Sequence, residues 1–142
     1  MTETSEVMDR YLDALLNGRD FAAMFAPDVV WTTMETGEQV RGRDAVRDLI
    51  VEMHSRSFEA HPELVSLVTG DGVALLEAVF AGRQVGTWQG LPASGRDVRA
   101  PYAMAYDVAG GSITALRAYL PIAQLRAQLT QTQGAVSAPA SV

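Results

Sequence analysis

Two histidines and one carboxylate are the first residues to consider for metal binding or acid–base chemistry in this chain. They are His54, His61 and Glu77, the last of which interrupts the apolar run Val73–Phe80. Neither histidine belongs to a His-x-x-His or Glu-x-x-His pattern of the kind that binds zinc. The chain also has no Gly-x-Ser-x-Gly elbow and no phosphate-binding Gly-x-x-x-x-Gly-Lys loop. We therefore expect no metal site and no cofactor.

His54 and Glu77 each allow two interpretations. His54 is either a base with a near-neutral pKa that points into a cavity, or a cation stabilised at the end of a helix, which is the interpretation we favour. Glu77 is either a buried acid or a side chain that points outward or pairs with Arg83 or Arg117, and again we favour the second interpretation. Arg117 could orient a carbonyl or carboxylate group, although strand alternation puts it on the other sheet face.

The second half of the chain predicts strands closed by a helix. A strand ending near Trp88 is followed by a Gly/Pro loop, and a second strand covers Val98–Val108. The glycines of Ala109-Gly110-Gly111 favour a tight turn into a third strand at Ile113–Leu120. Pro121 suits the first turn of a helix that places apolar residues on one stripe up to Leu129.

The first half predicts helices around a short strand and a hairpin. Helical periodicity covers Val7–Leu16, a second short helix runs from Asp20 to Phe25, and a third carries Val46, Leu49, Ile50 and Met53 towards the core. Val29–Thr33 predicts a strand, and Leu64–Val68 with Val73–Phe80 predicts a hairpin. The fold class is α+β: one domain over residues 1–129, followed by a flexible polar tail at 130–142.

Composition narrows the class of protein. The 142 residues carry a formal net charge of −6, which disfavours nucleic acid and anionic membranes as partners. There is no cysteine, and no apolar run approaches the ~20 residues that span a bilayer. Because the first residues lack the features of a signal peptide, we expect a cytoplasmic protein.

Glycine, proline and arginine recur at fixed intervals through the loop and the last strands. The pattern is Gly82-Arg83-x-Val85-Gly86, Gly90-x-Pro92, Gly95-Arg96-x-Val98, Gly111-x-Ile113, Arg117-x-Tyr119 and Gln128-Leu129. With these residues in register, the chain resembles the SnoaL-like polyketide cyclases of the NTF2-like superfamily over residues 6–129. The resemblance implies a cone-shaped, curved antiparallel sheet with three N-terminal helices and a short C-terminal helix that enclose a pocket.

The catalytic residues of the resembled proteins have no counterparts here. The cyclase histidine corresponds to Met104, the cyclase aspartate to Ala118, and a common later acidic residue to Pro121. The base of the related ketosteroid isomerases corresponds to Thr33. Acid–base catalysis contributes roughly 10²–10⁴-fold, whereas holding a flexible substrate in a reactive conformation supplies effective molarities on the order of 10⁵ M or more. We therefore expect a pericyclic ring closure governed by the shape of the pocket.

Strand alternation and the resemblance together predict the residues that bind an apolar substrate. These are Tyr11, Trp31, Thr33, Met53, Tyr102, Met104, Leu116 and Ala118. The isomerases carry an oxyanion-stabilising tyrosine at the spacing of Tyr11, which would otherwise be a core aromatic residue. The candidate catalytic residues are Tyr11, His54 and Glu77.

Three functions follow as hypotheses. The first is a cyclase of natural-product biosynthesis acting on a hydrophobic polyketide-type intermediate. The second is a protein that binds such a molecule without turnover. The third is an epoxide hydrolase or hydroxylase of the same fold, which would need Glu77, His54 or Arg117 in the pocket. Because both faces of Ile113–Tyr119 are partly apolar, we also expect a homodimer that pairs through the outer sheet face.

Overall fold

A curved seven-stranded sheet with three α-helices forms the part of the chain that the computed structural model describes, residues 2–131. The order is α1 (Glu3–Leu16), a 3₁₀ helix (Phe21–Met24), β1 (Phe25–Thr33), β2 (Glu38–Arg41), α2 (Arg43–Val51), a π-helix (Glu52–Ser57), β3 (Phe58–Ala60), β4 (Glu63–Thr69), β5 (Val73–Gln84), β6 (Asp97–Ala109), β7 (Ser112–Tyr119) and α3 (Ile122–Thr130). The α+β class is confirmed. Of the flexible tail expected at 130–142, residues 132–142 lie outside the part of the chain that the structure describes.

The strands are ordered β2-β1-β7-β6-β5-β3, and β4 pairs with β5 beside β3. The predicted hairpins are present, because β4 pairs with β5, and β6 with β7, in antiparallel registers. Gly110 and Gly111 both have positive φ, 60° and 78°, as the tight turn between β6 and β7 requires. The sheet is not wholly antiparallel as expected, since β1 runs parallel to β7 with Trp31 beside Leu116. The long chain segment between these strands makes a parallel crossover connection feasible.

The three N-terminal helices expected from the sequence are not confirmed. One α-helix is N-terminal, one lies in the middle of the chain, and one is C-terminal. The segment after Asp20 is a 3₁₀ helix of four residues with no side-chain cap from Asp20. It is short because Phe25 already has extended backbone angles, and β1 begins there and includes Pro27.

Two apolar clusters join the helices to the sheet. The larger one packs α1, through Val7, Met8 and Tyr11, against β1, β5, β6 and β7. The smaller one packs Leu125 and Leu129 of α3 against aromatic residues of β3, β5 and the loop before β6. A cavity remains between α1, α2 and the concave side of the sheet.

Candidate functional site

The cavity has a volume of about 380 Å³ and is lined mainly by aliphatic and aromatic side chains. α1 contributes Leu12 and Leu15, and α2 contributes Leu49 and Ile50. β5 and β6 contribute alternate residues, as the two-residue period of a strand requires. These alternate residues are Leu76, Ala78, Phe80, Tyr102, Met104 and Tyr106. A site of this size and composition suits a small apolar molecule.

The structure brings most of the predicted site residues together. The lining includes seven of them: Tyr11, Trp31, Thr33, Met53, His54, Tyr102 and Met104. Leu116 and Ala118, which were expected to bind the substrate, do not line the cavity. Both side chains point to the inner face but are fully buried in the larger core cluster, where packed side chains cover them.

Glu77 lies on the opposite face of the sheet from the cavity. Its side chain is exposed and accepts a hydrogen bond from the Ser66 hydroxyl at 3.2 Å. Arg117 is also directed away, since its guanidinium donates to the Asp107 carboxylate at 2.8 and 3.0 Å. Glu77 therefore cannot act as a buried acid in this cavity. Of the candidates His54, Glu77 and Arg117, only His54 borders it.

Three tyrosines supply the phenol groups of the cavity. Burial raises the pKa of Tyr11, and nearby Tyr102 raises it further. Burial also raises the pKa of Tyr102 to about 12 and that of Tyr106 well above its usual value. The rings of Tyr11 and Tyr106 meet edge to face, with centroids 5.7 Å apart. All three phenols are therefore neutral at physiological pH and can act as hydrogen-bond donors, not as bases.

Trp31 and Thr33 form a polar pair on the cavity side of β1. The indole Nε1–H donates to the Thr33 hydroxyl oxygen at 2.9 Å, which the spacing of two residues on one strand face permits. Trp31 is only 7% exposed. Because this bond satisfies the indole nitrogen, the ring is held as a flat apolar wall against which an unsaturated ligand can stack.

His54 lies in the π-helix, a helix type that often occurs at functional sites. Its Nδ1 is 2.9 Å from the carbonyl oxygen of Ile50, and its ring lies edge to face with Phe80 at 6.1 Å. Burial lowers the pKa of His54, an effect that the bond to Ile50 partly offsets. His54 thus lies in the last turn of the helical segment, as expected, but its burial beside the cavity disfavours the cation.

Several lining residues were missed by the sequence interpretation. Leu12, Leu15 and Leu16 belong to the periodic stripe of α1, so helical periodicity could have found them. Trp88 and Gln89 come from the loop before β6, and no periodic signal marks them. Their placement depends on Gln84, which is fully buried. Its amide donates to the carbonyls of Gly86 and Leu91 at 3.0 Å and accepts from Ser94.

The acidic residues of the lining are Glu35, in the turn between β1 and β2, and Glu38, the first residue of β2. Both are exposed and lie at the mouth of the cavity, together with Thr36. No arginine is among the described residues that line the cavity. Within residues 2–131, no three histidine or acidic side chains come together as metal ligands. No helix in that part of the chain is long and apolar enough to cross a bilayer.

Comparison with solved structures shows the same fold in several bacterial proteins. A candidate SnoaL-like polyketide cyclase from Jannaschia sp. CCS1 superposes with a TM-score of 0.82 at 15% identity, covering 92% of this chain and 94% of that chain. A candidate polyketide cyclase from Xanthomonas campestris pv. campestris gives 0.76 at 24% identity, covering 90% and 97%. AclR of Streptomyces galilaeus, a candidate hydroxylase, gives 0.75 at 13% identity, covering 91% and 96%. These similarities establish the fold alone.

The sequence comparisons agree with the fold. No curated protein matches the chain. The family described as the SnoaL-like domain matches residues 8–116, which include most of α1, the first six strands and most of β7. The chain therefore belongs to the SnoaL-like domain family, with the NTF2-like fold expected from the resemblance.

Proposed function

We propose that this protein is a polyketide cyclase-like enzyme that closes a ring in a hydrophobic polyketide-type intermediate held in the cavity. Ring closure is a pericyclic [4+2] step: two carbon–carbon σ bonds form as the three π bonds of a diene and an alkene become one, and no proton is transferred. The observation that carries the proposal is the apolar cavity of about 380 Å³ in a member of the SnoaL-like family.

The residues at the positions of the family's acid–base groups support a mechanism without proton abstraction. Met104, at the position of the cyclase histidine, borders the cavity but has no titratable group. Thr33, at the position of the isomerase base, is occupied as the acceptor of the Trp31 bond. The three neutral phenols can polarise a substrate carbonyl by donating hydrogen bonds to it. Rate enhancement then comes from holding the reacting carbons close together, an effect on the order of 10⁵ M or more in effective molarity.

Hydrolysis of an epoxide and hydroxylation are less well supported. Either use of the fold would call for charged groups that converge on the substrate, and Glu77 and Arg117 lie on the outer sheet face. Similarity to the hydroxylase candidate AclR is at the level of fold. Binding without turnover is the remaining alternative, and the same cavity would support it.

The proposal is tested by incubating the purified protein with linear polyene and polyketone precursors and analysing the products by liquid chromatography and mass spectrometry. A pericyclic closure yields a ring-closed isomer of unchanged mass, whereas an aldol closure followed by dehydration yields a product lighter by one water. Accelerated formation of the isomer is expected. Binding of the precursors with no change in rate would contradict the enzymatic proposal in favour of binding alone.

A matched pair of variants ties the activity to the cavity. Ala78 lines it from β5, whereas Ala103, the register partner of Glu77 on β6, lies on the outer face. Ala78→Leu removes cavity volume and should lower the rate of ring closure, while Ala103→Leu adds the same atoms outside and should leave the rate unchanged. Equal rates in both variants would show that the reaction occurs elsewhere.

A further inference from the structure

The Nε2 atom of His54 is a buried hydrogen-bond acceptor with no partner. A carbonyl oxygen only accepts hydrogen bonds, so the contact with Ile50 places the imidazole proton on Nδ1. In the neutral ring, Nε2 then carries a lone pair and no proton. Among the described residues that are not exposed, it is the one buried side-chain nitrogen or oxygen atom that has no hydrogen-bond partner.

An unpaired buried acceptor is unusual enough to need an explanation. Leaving such a group without a donor destabilises the folded protein, and native structures rarely keep one without a functional reason. Because His54 borders the cavity, a molecule bound there can supply the missing donor.

A ligand must shift part of the packing around the imidazole to reach Nε2, because the atom is closed to solvent. Phe80 lies edge to face with the imidazole, and Met53 is the adjacent residue in the π-helix; both also line the cavity. The unbranched Met53 side chain adapts readily to a new neighbour. A ligand that displaces either side chain slightly would bring a donor within reach of Nε2 while its carbon skeleton stays among the apolar walls.

We propose that the cavity selects an uncharged, largely apolar molecule bearing an enol or phenol hydroxyl, which donates a hydrogen bond to Nε2 of His54. Acidic hydroxyls of this kind are stronger donors than alcohols, and polyketide-type intermediates in their enol form carry them. A cationic donor is excluded because it would have to lose its hydration among apolar groups. This inference rests on the proposed function, since it assigns a substrate class to the same cavity.

Two probes that differ in one donor test the inference. 2-Naphthol and 2-methoxynaphthalene share a flat apolar skeleton, but only the naphthol has a hydroxyl proton. Binding of each is measured by titration calorimetry. For the unmodified protein we expect 2-naphthol to bind about tenfold more tightly, the gain expected when a buried acceptor is satisfied.

Substitutions of His54 test the roles of its two ring nitrogens separately. His54→Asn keeps an amide donor near the position of Nδ1, facing Ile50, but removes Nε2, so the preference for 2-naphthol should disappear. His54→Gln places an amide oxygen near the position of Nε2 and should retain part of the preference. His61→Asn is the control, because His61 is exposed and does not line the cavity. Unchanged binding of 2-methoxynaphthalene shows that each variant is folded.

Nitrogen NMR reports on the protonation and hydrogen bonding of Nε2, which ligand binding would not change if His54 had only a structural role. Two-bond ¹H–¹⁵N spectra should show His54 protonated at Nδ1, and 2-naphthol should shift the Nε2 resonance upfield while Nδ1 stays protonated. Equal affinities for the two probes, or a proton on Nε2, would overturn the inference and leave the proposed apolar ligand intact. Failure of both probes to bind would count against the proposed function as well.

Discussion

The carbonyl oxygen of Ile50 and Nδ1 of His54 lie 2.9 Å apart, where α2 passes into the π-helix. This contact ties one side of the imidazole to the backbone and orients the ring against Phe80. Because the contact fixes the tautomer, it decides what the rest of the ring can do. His54 is a neutral acceptor beside an apolar cavity, and several measurable properties depend on that state.

The buried imidazole should make folding stability fall in acid. In the unfolded chain His54 has a pKa of about 6.5, and burial lowers the pKa in the folded protein. Below pH 6.5 the unfolded state therefore binds a proton before the folded state does. The free energy of unfolding should decrease as pH falls through 6.5 and level off below the lowered pKa, so far as this residue is concerned.

Urea denaturation between pH 7.5 and 5 measures that decrease. His54→Asn removes the titrating group and should flatten the curve, whereas His61→Asn should leave the slope close to that of the unmodified protein because His61 is exposed. Identical slopes in the three proteins would mean that His54 is not held neutral by its surroundings.

Strand alternation predicted which side chains point inward, but it could not predict which of them meet empty space. Trp31 and Thr33 of β1 border the cavity, while their register neighbours Leu116 and Ala118 on β7 face the same way and are buried in the core. The difference lies in how other elements pack over each strand, and no local periodicity encodes it. In contrast, the hairpins around Gly70–Gly72 and Gly110–Gly111 follow from local turn chemistry and were predicted.

The environment of His54 depends on a feature with no sequence signal of its own. Helical periodicity predicted the helix containing Val46 and Ile50, and both are buried. The change from α-helix to π-helix at Glu52 was not predicted. The orientation of His54, which follows from that change, was therefore not predicted either. Family resemblance predicted that the family's catalytic residues lack counterparts in the chain, yet it could not locate an acceptor that lies outside the family pattern.

Gln84 should be important for the stability of the loop that carries Trp88 and Gln89. Its fully buried amide makes two donor bonds to loop carbonyls and accepts from the backbone N–H and hydroxyl of Ser94. Gln84→Leu leaves these buried groups unpaired and should lower the free energy of unfolding by about 2–4 kcal/mol. Urea denaturation monitored by tryptophan fluorescence measures the loss.

Gln39→Leu is the matched control for Gln84. Gln39 is exposed on β2, and its amide bonds to Thr32 at 3.2 Å. Its substitution should change the free energy of unfolding by about 0.5 kcal/mol at most. A similar small effect at Gln84 would mean that the loop is held by other contacts.

Gly86 allows the loop to approach the π-helix closely. A Cβ atom at this position would overlap the carbonyl oxygen of Arg56, and the Gly86 N–H donates to the Ser57 carbonyl at 3.1 Å. Gly86→Ala should therefore separate the loop from the π-helix and lower the free energy of unfolding by about 1–3 kcal/mol or more. Because His54 is carried by the same π-helix, its Nδ1–H signal should also shift.

Gly70→Ala provides the comparison for Gly86→Ala. A Cβ at Gly70 makes an ordinary contact with the Val73 side chain at 3.5 Å, and the N–H of Gly70 remains bonded to Val73. Little change in stability is expected there. Equal stabilities of the two variants in urea denaturation would show that the backbone contact at Gly86 relaxes without cost.

Exposed apolar residues on the outer face of the sheet predict a homodimer. Val68 and Leu75 are register partners on β4 and β5 and are 63% and 56% exposed. Covering such an apolar pair against a second copy would remove it from water. Light scattering should give the mass of two chains, reduced to one by Leu75→Glu but not by Val85→Glu, which changes an exposed residue of the loop after β5. The mass of one chain for the unmodified protein would contradict the prediction.

The cavity should discriminate strongly against anions. Glu35 and Glu38 lie at its mouth, and no arginine is among the described residues of its lining. A carboxylate that entered would lose its hydration without gaining a charged partner, which is costly in an apolar site. We therefore expect 2-naphthoate to bind at least tenfold more weakly than 2-naphthol at pH 7.5.

The double variant Glu35→Gln/Glu38→Gln should relieve only the repulsion at the exposed mouth, an effect that salt screens. Most of the discrimination should thus persist in that variant and at high ionic strength. Titration calorimetry at two salt concentrations separates the two contributions. Tighter binding of the naphthoate than of the naphthol would mean that a cationic side chain reaches the ligand, and the assignment of an uncharged substrate would then be wrong.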